Sequence, residues 1–147
     1  MSHVWQPKMS CASLGAGIAV AALLALPVAA AELRVEAAGL RNTNGTLYVA
    51  VCTEAEFLQP ACAFFGSAPA SEGAVTVTGV PPGTYAVQAV HDENDNGTLD
   101  RPGFLPTEGL GFSRDARMRM GPPAWDDAAF ELTEAGATVP LTLRYFR

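Results

Sequence analysis

Beyond residue 31 this sequence has no lysine, a single histidine (His91) and only two cysteines, Cys52 and Cys62. Each scarcity excludes something. Eight arginines face fifteen carboxylates in that stretch, a charge near −7, so the basic footprint of a nucleic-acid binder is missing. One histidine cannot build a His-rich metal cage, and two cysteines cannot fill a zinc site. Nine residues separate the cysteines, which is not the C-x-x-C spacing of a redox pair. There is no internal repeat and no heptad pattern. No long apolar run follows residue 28, so no membrane span is expected once the leader is gone.

The leader is what the first residues supply. Lys8 precedes an uncharged apolar run from Ala12 to Val28, which ends in Pro27-Val28-Ala29-Ala30-Ala31. A basic start, an apolar stretch and a small-residue cleavage site make a secretory signal peptide over residues 1–31. The alternative is a membrane anchor, since the run is close to spanning length, but its Ala and Gly content and Ala-rich end favour cleavage. Cleavage is expected before Ala31 or Glu32. The remaining 32–147 suffice for one domain with one core. Export implies a periplasmic or secreted life in an oxidising compartment, where Cys52 and Cys62 are expected to pair.

Strand periodicity dominates the rest. Leu33, Val35 and Ala37 alternate with polar or small residues, and Leu47, Val49 and Val51 share one face of Thr46 to Cys52. Asn42-Thr43-Asn44-Gly45 between them predicts a β-hairpin. Thr53 to Gln59 reads as one helical turn capped by Thr53, with Glu56 three residues on. Gly73 to Val80 alternates again. Pro81-Pro82-Gly83 is a turn. Thr84 to His91 is the strongest strand, with Tyr85, Val87, Ala89 and His91 on one side. Asp127 to Leu132 and Ala137 to Phe146 read as closing strands joined by Glu134-Ala135-Gly136. The fold class expected is all-β: one antiparallel β-sandwich of about seven short strands, with one long irregular loop over 92–125.

That loop opens with the most informative stretch of the chain. From Asp92, oxygen-bearing side chains fall at positions 1, 3, 5 and 9 (Asp92, Asn94, Asn96 and Asp100), with Gly97 at position 6. This is most of a calcium loop, whose glycine permits the turn that folds oxygens onto a hard cation. Thr98 would give its main-chain carbonyl at position 7. Position 12 should be a bidentate glutamate and is Gly103; Glu108 replaces it if the chain folds back at Pro102-Gly103. Against calcium stands a solvated Asn-Asp turn. In its favour, Asp92, Glu93, Asp95 and Asp100 repel one another unless something neutralises them.

Pro82-Gly83-Thr84-Tyr85-Ala86-Val87, His91-Asp92-Glu93-Asn94-Asp95-Asn96-Gly97 and Leu99-Asp100 resemble the centre of the bacterial family catalogued as domain of unknown function 2141. Pro106, Glu108-Gly109, Gly111-Phe112-Ser113, Gly121-Pro122-Pro123 and Asp126-Asp127-Ala128-Ala129-Phe130 continue the likeness. Leu110 departs from it, standing where the family tends to carry an aromatic residue. The resemblance implies an exported bacterial protein with no settled activity. Its strand-and-loop centre is also similar to transthyretin-like and B-type adhesin modules, in which such loops can bind calcium.

The expected function is therefore non-enzymatic: an exported binding or interaction module for an unknown protein or small-molecule ligand, with calcium in its acidic loop. Two alternatives stay open. A hydrolase would use His91 beside the loop carboxylates as general base, with Ser113 as the nucleophile on offer, although no G-x-S-x-G elbow surrounds it. A carrier would hold an apolar or carbohydrate ligand in a cavity walled by Phe104, Phe112 and Trp125. The apolar residues of Phe104 to Trp125, interleaved with Arg114, Arg117 and Arg119, suit either an interface or a lid over one open end of the sandwich.

Overall fold

The computed structural model describes residues 27 and 29–146. The signal-peptide reading of 1–31 lies almost wholly outside the described residues. Among the described residues, no helix is long and apolar enough to cross a membrane.

Eight strands form two sheets. They are β1 (Ala31–Ala38), β2 (Thr46–Cys52), β3 (Phe64–Pro69), β4 (Ala74–Val80), β5 (Gly83–Asp92), β6 (Gly109–Phe112), β7 (Phe130–Leu132) and β8 (Ala137–Thr142). One helical turn, α1 (Trp125–Ala128), precedes β7. One sheet has the order β4-β1-β8; the other runs β3-β2-β5-β6, with β7 on β5. Pairing is antiparallel except between β1 and β8, which run parallel. The result is the expected β-sandwich.

The core follows from alternation. Every second residue of β1 is buried, which places Leu33, Val35 and Ala37 opposite Leu47, Val49 and Val51 of the other sheet. Val75, Val77, Val87, Val139 and Leu141 belong to the same cluster. Each such side chain, fully buried, contributes roughly 1.5–3 kcal/mol. β5 is buried on both faces. Its Ala86 faces outward, where Phe57, Phe112, Ala116 and Ala128 form a second apolar cluster with Met118 and Trp125 against it. Phe57 meets the rings of Phe112 and Trp125 edge-on, at 6.1 and 5.6 Å between centroids.

Four expectations need correction. β1 and β2 are not a hairpin: β1 pairs with β4 and β8, and β2 with β3 and β5, so the Asn42–Gly45 turn carries the chain between sheets. The 92–125 segment is not irregular throughout, since it contains β6 and a 3₁₀ turn at Ser113–Asp115 and ends at the first residue of α1. The lid is partial. Phe112, Met118 and Trp125 pack on the outward side of β5, whereas Phe104 and Met120 are fully exposed. The aromatic wall of a carrier cavity is thus not assembled.

The closing strands are also shorter than expected: Asp127 and Ala128 belong to α1, so β7 is only Phe130–Leu132, and β8 ends at Thr142 rather than Phe146. The capped turn and the cysteine pairing are as expected. Phe57 and Glu56 donate their main-chain N–H groups to Thr53 O, and the Glu56 carboxylate accepts the Thr53 N–H at 3.0 Å, as in a capping box. Cys52 and Cys62 are joined by a disulfide, their Cα atoms 4.9 Å apart. It ties the end of β2 to the chain entering β3. Replacing both cysteines by alanine should cost roughly 2–3 kcal/mol, the loop-closure entropy of a ring this short. Melting with and without reductant measures it; an unchanged melting temperature would show that the bridge contributes nothing to stability.

Candidate functional site

His91 ends the inward face of β5 and is wholly buried. Its neighbours across the ladders are Leu47 on β2 and Gly109 on β6. Gly109 is glycine for a steric reason: a Cβ there would lie 2.5 Å from the Tyr145 ring. Tyr145 is brought in by paired main-chain bonds between Leu110 and Arg144. The imidazole then bridges two partners at 2.6 Å each: Nε2 meets Asn44 O, and Nδ1 meets Tyr145 Oη. A carbonyl can only accept, so Nε2 donates; in the neutral imidazole Nδ1 then accepts from the phenol. Burial pushes the Tyr145 phenol above its ordinary value, which keeps that proton on oxygen.

Asp92 follows His91 and is also buried, 1% exposed. Its carboxylate accepts the Gly97 N–H at 2.8 Å and the Asn96 N–H at 3.3 Å. These bonds curl the loop back over the strand end. Asp95, in the left-handed region with φ 55°, accepts from Thr46 Oγ1 at 2.7 Å. Glu93 turns the other way, to the Arg41 guanidinium and Asn42 Nδ2. Burial alone would raise the Glu93 carboxyl; the bonds from Arg41 and Asn42 outweigh it and hold the carboxyl low. Arg41 also lies over the Tyr145 ring, 4.5 Å from its centroid. Two of the loop's carboxylates are therefore drawn away from the rest.

Three carboxylates gather instead. The β5–β6 register pairs His91 with Gly109, and its continuation sets Glu108 opposite Asp92. Thr107 N–H donates to Asp100 O at 3.0 Å, which folds Asp100 back beside Glu108. Glu108 Oε2 accepts the Asp100 N–H at 3.1 Å. The Asp100 carboxylate accepts from Asn94 Nδ2 at 2.7 Å and Asn96 Nδ2 at 2.9 Å. Asn94 Oδ1 accepts the Asn96 N–H, and Asn96 Oδ1 accepts both the N–H and the hydroxyl of Thr98. All six residues singled out in the sequence (Asp92, Asn94, Asn96, Thr98, Asp100 and Glu108) thus belong to one connected network. In this arrangement the amide nitrogens, not the oxygens, face Asp100. Among the described residues no three His, Cys, Asp or Glu side chains stand as a group that could hold a metal ion.

Glu108 is the anomaly of the network. It is 4% exposed, and its Oε1 is buried without a hydrogen-bond partner. Burial raises its carboxyl above the ordinary 4.5; the Asp100 N–H pulls it back, and the negative fields of Asp92 and Asp100, with a carboxyl–carboxylate hydrogen bond from its protonated form to Asp92, push it up again. A buried carboxylate beside two others needs a proton or a cation.

Ser113 is built into the scaffold. Its Oγ is buried, accepts the Val87 N–H at 2.9 Å and donates to Ala128 O at 2.6 Å, fastening the chain after β6 to β5 and to α1. Sequence reasoning missed Tyr145, Asn44 and Arg41 as partners of this region. Gly109 was a signal for Tyr145, since a glycine beside a buried strand marks a close approach.

Comparison with curated proteins and with solved structures finds no match. A family model does match, over residues 35–140, a span from β1 to β8 that includes the whole 92–108 network. On that match the chain belongs to the bacterial family described as "Uncharacterized protein conserved in bacteria (DUF2141)".

Proposed function

We propose that this protein is an exported, non-enzymatic binding module whose 92–108 loop is completed by calcium. The observation that carries the reading is Glu108, whose buried Oε1 meets no donor and whose neighbours are the carboxylates Asp92 and Asp100, so that either a proton shared with Asp92 or a cation must satisfy it. The chemistry of the donor set suits a hard cation, although the side chains as they stand do not converge on one point. Asp92, Asp100 and Glu108 would supply carboxylate oxygens, Asn94 and Asn96 their amide oxygens, and Thr98 its main-chain carbonyl. Calcium takes six to eight such oxygens. The two amides would have to turn, exchanging Nδ2 for Oδ1 toward Asp100. A cation in place of their N–H groups supplies the reason to do so. Glu93 stays out, engaged with Arg41 and Asn42.

Three features support a non-enzymatic reading. Both nitrogens of His91 are committed inside the fold. Ser113 Oγ is buried and bonded both ways. Both described cysteines are in a disulfide, which also suits an oxidising compartment.

Melting of the purified protein in calcium and in metal-stripped buffer tests the proposal. A ligand at about a hundred times its dissociation constant stabilises by about 2.7 kcal/mol. For a domain of this size that is on the order of 10 °C. Magnesium should give little of it, because its cage is tighter and octahedral. Equal melting temperatures in both buffers would sink the proposal.

A further inference from the structure

We propose a second site, an oxyanion-binding cleft between the segment after β6 and α1. The concavity has a volume of about 580 Å³ and is lined by Arg114, Arg117, Arg119, Met120 and Asp127, among others. That size suits a small organic ligand. Its chemistry is unusual for this chain. The protein is acidic, yet three of its eight arginines fall within six residues here.

The pairing of the arginines points the same way. Arg34 and Arg41 have carboxylate partners, Glu36 and Glu93. Arg114, Arg117 and Arg119 make no ion pair among the described residues, nor do Arg101 and Arg144, but only these three are gathered in one cleft, which Asp127 shares. Arg114 is held in place: its Nη1 donates to Asp126 O at 2.9 Å and to Ala129 O at 3.2 Å. Those bonds use one corner of the fork, so Nε and Nη2 keep their N–H groups for a ligand.

The backbone beneath is equally fixed. Arg114 and Asp115 both adopt the left-handed conformation, at φ 58° and 51°. Non-glycine residues keep it only where their surroundings enforce it. Here Asp115 Oδ1 accepts the Thr142 N–H at 2.7 Å, and Oδ2 accepts the Thr142 hydroxyl at 3.2 Å. A guanidinium pre-set in this way, with two more beside it, suits a ligand with several anionic oxygens, because the arginine fork matches carboxylate and phosphate geometry. Asp127 opposes such a ligand and lowers its affinity. The ligand is therefore a small oxyanion, either a phosphate ester or the carboxylate of an acidic sugar. The cleft shares no residue with the 92–108 network, so the two proposals fail separately.

Calorimetric titration of the full chain in metal-stripped, chloride-based buffer tests this with three probes: inorganic phosphate, glucuronate and, as the neutral control, glucose. Saturable binding of phosphate or glucuronate is expected, weakening as salt rises, with none of glucose. Phosphate alone binding assigns a phosphate ligand; glucuronate alone binding assigns an acidic sugar. Arg117→Gln with Arg119→Gln should weaken binding at least tenfold with an unchanged melting temperature. Asp127→Asn should strengthen it several-fold, a gain that misfolding cannot imitate. No saturable binding of either anion, or binding indifferent to all three substitutions, overturns the inference.

Discussion

Glu108→Gln should raise the melting temperature of the calcium-free protein at neutral pH and, in the same protein, abolish the gain from calcium. The two effects have opposite signs and one cause. Burial first, then the fields of Asp92 and Asp100, lift the Glu108 carboxyl above its ordinary 4.5. A group whose folded value is raised stabilises fully below its unfolded value, and that contribution is lost as pH rises through the folded one. Without calcium, wild-type stability should therefore fall as pH climbs from about 4.5 toward neutrality. Glutamine has the same shape and no charge. Its amide oxygen can keep the Asp100 N–H, and its Nε2 can donate toward Asp92. Glu56 and Glu93 are both held low, so their contributions are lost on the acid side instead. The difference between wild type and Glu108→Gln, followed across pH, cancels them. With calcium at about a hundred times its dissociation constant, wild type should gain about 2.7 kcal/mol and the variant almost nothing. A variant that still gains as much as wild type would remove Glu108 from the site.

Gly45→Ala should be among the costliest single-methyl additions in the fold. Gly45 sits at φ 73°, and a Cβ there would lie 1.9 Å from Asp92 O and 2.8 Å from the Glu93 backbone. Neither neighbour can yield cheaply. Thr46 pairs with Asp92 across the β2–β5 ladder, and the Asp92 carboxylate holds the curl of the loop. The left-handed backbone costs alanine about 1–2 kcal/mol, and overpacking adds about 1–3 kcal/mol. Gly79→Ala is the control: φ is 78°, but the added methyl meets nothing within 4 Å. It should show the backbone cost alone. Gly45→Ala should also weaken the calcium gain, because it displaces Asp92; Gly79→Ala should not. Equal losses in the two variants would mean that the turn does not press on the loop.

The strands that were legible in the sequence are those whose inward residues are large. Leu33, Val35, Leu47, Val49, Val51, Val75, Val77, Val87 and Ala89 alternate with outward residues, and all nine are in the core. The two strands that were missed have glycine where periodicity would show. In β3, a Cβ on Gly66 would lie 3.0 Å from Val75 Cγ1 and 3.1 Å from Val77 Cγ2, so glycine allows the sheets to approach. In β6, Gly109 makes room for Tyr145 and Gly111 for Leu141. With glycine at the centre of the inward face of β3 (Phe64, Gly66, Ala68) and at both inward positions of β6, little apolar alternation is left to read. The mistaken hairpin has a different origin. Asn42–Gly45 is a real turn, with the Asn44 N–H on Asn42 Oδ1, but partner choice is a long-range matter. β1 is claimed by β4 and by the parallel β8, which no local pattern announces.

The acidic loop was legible because its spacing follows from the local chemistry of a turn. Glu108 was legible only as a residue that could return to it, because its position depends on β6. Once β6 pairs with β5, the register carries Glu108 to Asp92 without further help. Tyr145 depended on the chain beyond β8 folding back to Leu110; Gly109 marked a close approach there, but nothing local named the residue that makes it.

The most direct measurement is a crystal structure of the protein grown in calcium, with anomalous data to locate the ion. The expected result is one anomalous peak within about 2.3–2.6 Å of carboxylate oxygens of Asp92, Asp100 and Glu108 and of the turned amide oxygens of Asn94 and Asn96. The contradicting result is no peak there, the Asn94 and Asn96 amides still donating to Asp100, and Glu108 facing Asp92 across a shared proton.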